Sequence, residues 1–168
     1  MAILYERVAL IGLGLIAGSM ALAMREHGLA GEVTGYARTE ATRATARRIG
    51  LVDRVCESAA DAVRDADLVV LCVPPGAMAQ VAREIGPALK QGATVTDVGS
   101  VKRAVQDAVA PHLPEGVDFV PGHPLAGTEH SGPEAGFATL FVNRWTILTP
   151  DIDVSREAVE QLIALWQG

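Results

Sequence analysis

The segment Gly12-Leu13-Gly14-Leu15-Ile16-Ala17 constrains this chain most. It joins a short apolar run, residues 7–11, to an Ala- and Met-rich stretch that stops near Gly28. Gly12 permits a turn tighter than a residue with a Cβ allows. Gly14 lets backbone N–H groups come close to a ligand. Ala17 and Gly18 are small enough to keep a helix against the preceding strand. The first turn of that helix has N–H groups without intrahelical partners and carries the positive end of the helix dipole, which together favour an anion. Strand, glycine turn and helix in this order predict a dinucleotide-binding unit, with Gly12, Gly14, Leu15 and Ile16 around the pyrophosphate. Such a turn also occurs without a ligand, so the rest of the chain must decide.

The pattern downstream agrees. Residues 32–36 read as a second strand and 39–49 as a helix ended by Gly50. Residues 51–55 suggest a short strand and 58–65 a short helix. Residues 68–73 are a continuous Val/Leu/Cys run, as expected of a strand buried on both faces, and Pro74-Pro75 ends it. Met78, Val81, Ala82, Ile85 and Leu89 recur at helical spacing. Residues 93–98 form another strand, and Val101, Val105, Ala108 and Val109 another helix, closed by Pro111. This alternation predicts one α/β domain over residues 1–168: a Rossmann-type doubly wound, mostly parallel sheet with helices on both faces. Ligands of such sheets lie outside the carboxyl ends of the strands, which adds Val73, Pro74, Asp97 and Gly99 to the cofactor-binding candidates.

Residues 121–136 are rich in Pro, Gly, His and Thr and read as a long functional loop. Residues 144–148 return to strand character. Ser155 is placed to cap a last helix, whose stripe of Val159, Leu162, Ile163 and Trp166 reads as poised to pack on something outside the chain.

Composition narrows the partners. The chain has 168 residues, 49% of them hydrophobic, enough for one real core. A formal net charge of −6 argues against nucleic acid. A small anion remains possible, because a local pocket can oppose the global charge. Cys56 and Cys72 are too few for a disulfide framework or a metal cage, and Cys72 reads as a buried small hydrophobe. No apolar stretch approaches the roughly 20 residues of a membrane helix, and no signal-peptide pattern stands at the start. The expectation is a cytoplasmic protein without membrane or metal.

The second strand's end bears on cofactor choice. NAD readers carry an Asp or Glu there to accept from the ribose 2′-hydroxyl. This chain has Ala37 followed by Arg38, with Arg43 and Arg47 on the next helix. An arginine can pair with a 2′-phosphate. NADP is therefore favoured and NAD remains possible; a merely solvated Arg38 is the alternative.

Three segments together carry a more specific resemblance. They are Gly12-Leu13-Gly14-Leu15-Ile16-Ala17-Gly18-Ser19, Asp97-Val98-Gly99-Ser100-Val101-Lys102, and Gly122-His123-Pro124-Leu125-Ala126-Gly127-Thr128-Glu129. In this order they resemble the dinucleotide-binding domain of the prephenate/arogenate dehydrogenases of tyrosine biosynthesis. The resemblance covers nearly the whole chain. It implies oxidative decarboxylation: a ring hydroxyl loses its proton, its carbon gives a hydride to the nicotinamide, and the ring carboxylate leaves to give an aromatic product. It further implies a helical dimerisation domain after this one, expected to lie outside these 168 residues, and a homodimer in the full-length protein.

Chemistry of that kind needs a base and a donor at the hydroxyl. His123 is the candidate base, since imidazole titrates near working pH. Ser100 is the candidate partner to the same hydroxyl, and it is also placed to cap a helix starting at Val101. Thr128 and Glu129 match family positions near the substrate's side chain; ordinary loop hydrogen bonding is the other reading. Lys102 reads as an anion ligand or a solvated helix lysine. His27 and His112 read as surface residues, and Trp145 and Trp166 as packing residues. Two other readings stay open: another Rossmann reductase, such as a β-hydroxyacid dehydrogenase, and a cofactor-binding module without turnover. Prephenate and arogenate are not separable from the sequence.

Overall fold

The computed structural model describes residues 2–168. Six strands, β1 (Tyr5–Ile11), β2 (Ala30–Tyr36), β3 (Arg54–Val55), β4 (Leu68–Leu71), β5 (Thr94–Asp97) and β6 (Asp118–Val120), form one sheet in the order β3-β2-β1-β4-β5-β6. Every pairing in it is parallel. The chain winds outward from β1 to β3, then crosses back to β4, so the switch in strand order falls between β1 and β4. That is where a doubly wound sheet opens a crevice.

The helices α1 (Leu15–His27), α2 (Glu40–Arg48), α3 (Ala59–Val63), α4 (Met78–Ile85), α5 (Lys102–Val109) and α6 (Arg156–Gln167) cover both faces. The cause is the two-residue repeat of a strand. Val8, Leu10, Leu68 and Val70 point to one side, where they meet Met20, Met24, Leu162 and Leu165 of α1 and α6. Ala9, Ile11, Val69 and Leu71 point to the other, against Met78, Ile85, Val105 and Val109 of α4 and α5. The buried stretches of β1 and β4, residues 8–11 and 68–71, are thus apolar at every position, as residues buried on both faces must be.

Several local expectations change. The loop expected over residues 121–136 contains a strand, β7 (Gly122–Pro124), which pairs antiparallel with β8 (Thr146–Leu148). Neither three-residue strand is long enough to show a period in sequence. Helix α5 begins at Lys102, and its cap position is Val101 with no side-chain cap bond, so Ser100 does not cap it. Trp166 packs inside the chain, edge-on to Phe141 at 5.2 Å, whereas Trp145 is 81% exposed. On α6 the buried face is Ala158, Leu162 and Leu165; Ile163 turns outward. Among the described residues, no helix is long and apolar enough to cross a membrane.

Candidate cofactor cleft and active-site ribbon

The turn after β1 is made by Gly12, which has φ +96° and donates its N–H to the Tyr36 carbonyl at 2.8 Å. A Cβ there would stand 2.4 Å from the Cys72 carbonyl oxygen. Glycine is therefore required by both backbone angle and the close approach of β1 to the end of β4. Gly14 differs. Its φ is −106°, and an added Cβ would meet nothing within 4 Å. It occupies the cap position of α1 without any side-chain cap bond. The N–H groups of Leu15 and Ile16, in the first turn, lack intrahelical acceptors. Open space, free donors and the helix dipole meet there, and an anionic pyrophosphate fits them.

A cleft of about 450 Å³ opens at this point. Gly12 and Gly14 form its floor, Ala37 and Arg38 one wall, Val73 and Pro74 the other. Five of the sequence candidates, Gly12, Gly14, Arg38, Val73 and Pro74, thus surround one space. Gly132 and Pro133 also line it, which the sequence did not suggest. Their loop is anchored on α1: Phe137 N–H donates to the Ser19 hydroxyl at 3.1 Å, and a Cβ on Gly136 would stand 2.8 Å from the Gly18 and Ser19 backbone. The available signal was Ser19, a polar residue in an Ala- and Met-rich stretch, which the structure buries fully. A second cavity, about 310 Å³, lies at the far end of α1 between Met24, Phe141 and Trp166.

Arg38 is exposed, and its guanidinium has no partner among the described residues. Arg43 and Arg47 do not share that freedom. Arg43 Nη1 donates to the Ala37 and Arg38 carbonyls at 2.7 and 3.1 Å, its guanidinium pairs with Glu40 and Glu57, and it lies 5.7 Å from the centre of the Tyr36 ring. Arg47 pairs with the same two glutamates. Two basic residues that looked available are neutralised locally.

The end of β5 is organised by Asp97, whose side chain is fully buried. Its Oδ2 accepts from Gly99 N–H at 2.9 Å and its Oδ1 from Gly122 N–H at 3.1 Å. Lys102 Nζ donates to both oxygens, at 2.7 and 2.6 Å, and to the Gly122 carbonyl at 2.5 Å. The Asp97 carboxylate is thus engaged inside the chain and is not among the residues lining the cleft. Lys102 is neither a solvated lysine nor a free anion ligand. Cys72 is half-buried at the cleft wall, and burial together with the Asp97 charge pushes its thiol above the ordinary range.

Ser100 is exposed just beyond this carboxylate, and half-buried His123 follows Gly122 on β7. His123 faces Ile147 across the ribbon, and Leu125 N–H donates to the Trp145 carbonyl at 2.8 Å. Gly122 and Pro124 are buried against the body, while Leu125, Trp145 and Ile147 are exposed. His123 therefore stands in an open apolar surface. Thr128 and Glu129 are exposed too. Their side-chain partner among the described residues is His130: Thr128 Oγ1 accepts from its N–H at 3.1 Å, and Glu129 Oε1 lies 3.4 Å from its Nε2.

Comparison with known proteins agrees with this geometry. Residues 20–168 match the family model described as prephenate dehydrogenase, nucleotide-binding domain. The chain is 44% identical over 163 residues to a cyclohexadienyl dehydrogenase of Zymomonas mobilis, covering 97% of the chain and 55% of that protein. It superposes with a TM-score of 0.87 at 30% identity on prephenate dehydrogenase from A. aeolicus in complex with hydroxyphenyl propionate and NAD+, covering 96% of this chain and 56% of that one. Synechocystis arogenate dehydrogenase gives 0.86 at 30% identity, with the same coverage of 96% and 56%. The chain spans about half the length of these relatives. By the extent of the family match and the identity to these enzymes, it belongs to the prephenate dehydrogenase family, as the nucleotide-binding domain.

Proposed function

We propose that the protein carrying this chain oxidatively decarboxylates prephenate or arogenate with NADP as the preferred cofactor. One observation carries the reading: the uncapped glycine cradle and the Ser100 and His123 segments lie at carboxyl ends of one parallel sheet, the cradle after β1 and Ser100 after β5, two positions along. That spacing suits a cofactor lying across the strand ends with its nicotinamide towards β5.

In this reading, Gly12, Gly14, Leu15 and Ile16 receive the pyrophosphate and Val73 and Pro74 bound the cleft beside it. Gly99 stands at the nicotinamide end. Arg38 pairs with the 2′-phosphate, supported by its exposed guanidinium having no ion-pair partner among the described residues. When bound, the nicotinamide takes up the hydride released from the substrate ring. His123 accepts the proton of the ring hydroxyl, and Ser100 holds that hydroxyl by a hydrogen bond. Thr128 and Glu129 contact the substrate's side chain. The new ring ketone draws in the electron pair freed as the carboxylate leaves as carbon dioxide. The full-length protein acts as a homodimer, with the rest of its length closing over the exposed ribbon.

The open face around His123 favours a second statement about the chain alone: it binds cofactor without turning over. Both statements are checked by following reduced cofactor with prephenate and with arogenate, using NADP and NAD. The longer protein should turn over one of these pairs while the 168-residue chain binds cofactor only. No turnover by the longer protein with either substrate removes the first reading; full activity of the chain removes the second.

A further inference from the structure

We propose that the Asp97–Lys102 pair is a positioning device that sets Ser100 and His123 in fixed register with each other. The proposal rests on the roles given to those two residues above. It begins from the donors and acceptors of the pair. An ammonium has three N–H groups, and Lys102 spends them on Asp97 Oδ1, Asp97 Oδ2 and the Gly122 carbonyl. An ionised carboxylate has about four acceptor sites, and Asp97 fills them with Lys102 twice, Gly99 N–H and Gly122 N–H. The unit is closed, with side-chain exposures of 0% for Asp97 and 19% for Lys102.

A buried pair of this kind adds little net stability over apolar packing of the same volume, because both charges have left water. What it does supply is geometry. Gly99 immediately precedes Ser100, and Gly122 immediately precedes His123. One carboxylate therefore fixes the backbone on the near side of both residues, though they lie on segments joined only through α5 and β6. The backbones also touch here: a Cβ on Gly122 would lie 2.8 Å from the Asp97 carbonyl oxygen, and one on Gly99 3.0 Å from Oδ2. Lys102 closes the arrangement by holding the Gly122 carbonyl as well. Removing the ammonium leaves Gly122 tied by one bond rather than two, and the start of the ribbon shifts.

Two measurements test this separately from the proposed reaction. The first is the His123 ring signal in NMR spectra of the 168-residue chain, assigned by its loss in His123→Asn. Lys102→Met should move that signal while leaving those of His27 and His112 in place. The second is steady-state kinetics of the longer protein. Lys102→Met should lower kcat by about 100-fold, the cost typical of a reacting group misplaced by about 1 Å, with NADP affinity unchanged. Lys102→Arg, which keeps the charge, should recover part of the loss. If Lys102→Met does not fold, Lys102→Arg is read by the same two criteria, with a smaller loss expected. An unmoved His123 signal with kcat within twofold of wild type overturns the proposal. If the longer protein has no dehydrogenase activity, the ring signal still decides whether the pair positions His123.

Discussion

The cleft at the ends of β1 and β4 and the ribbon that carries His123 lie on the same rim of the sheet, yet they are finished to different degrees. The cleft takes its walls from β1, β2, β4 and the Gly132-Pro133 loop. The carboxyl ends of its supporting strands are largely buried, and among the described residues the one free cation lining it is Arg38, beside two arginines already paired with acids. The ribbon is packed on one face only. Its outer face shows Trp145 at 81%, Ile147 at 46% and Leu125 at 45% exposure, all around His123. A run of apolar residues on one open face marks a surface built to be covered. In the proposed reading, cofactor recognition is therefore self-contained in this chain, whereas the reacting half is presented outward.

Mutations can break that contrast. His123→Asn carries the largest expected effect: in the longer protein, turnover falls by about 10²–10⁴, the usual worth of a general base, while cofactor affinity holds. A parallel loss of cofactor binding would mean that the two regions are not separate. Gly12→Ala should lower stability by about 3 kcal/mol in thermal or urea unfolding, since the new Cβ meets the Cys72 carbonyl at a φ of +96°. An unchanged melting temperature would mean that the β1–β4 approach is looser than described.

Smaller effects sharpen the picture. Arg38→Ala should weaken NADP by about 10–100-fold, the worth of a charge-assisted hydrogen bond, and leave NAD unchanged. Equal affinities of the wild-type chain for the two cofactors would remove Arg38 from its role. Trp145→Ser should shift the stability of the 168-residue chain by under about 0.5 kcal/mol, as for other surface changes. A larger loss would show that the ribbon's outer face is packed in solution.

What could be read from the sequence divides along the same line. The cleft was legible because its information is local: a short strand, two glycines and a helix start follow one another within about one βα unit. Arg38 was legible because its position is counted from the second strand. The ribbon was not legible as a ribbon. Gly122-His123-Pro124 has no period to detect, and its partner strand begins at Thr146. His123 itself was found only through the motif around it. Lys102 looked like any helix lysine, since nothing in its spacing says that Gly122 lies at its tip. Trp145 reads as a packing residue in the sequence because exposure depends on what lies opposite, and the described residues leave it 81% exposed. The resemblance supplied the family, and it left the internal bonding of Asp97 unseen.

The most direct test of the central claim is a titration of NADP into the 168-residue chain and into its Gly14→Ala variant, with melting temperatures measured alongside. The wild-type chain should bind at one saturable site. The variant should melt at nearly the same temperature, because the added Cβ meets no protein atom within 4 Å, and should bind NADP markedly more weakly, because that Cβ enters the phosphate's space. A folded wild-type chain that fails to bind, or a Gly14→Ala variant that binds as tightly, would contradict a cofactor cleft complete within this chain.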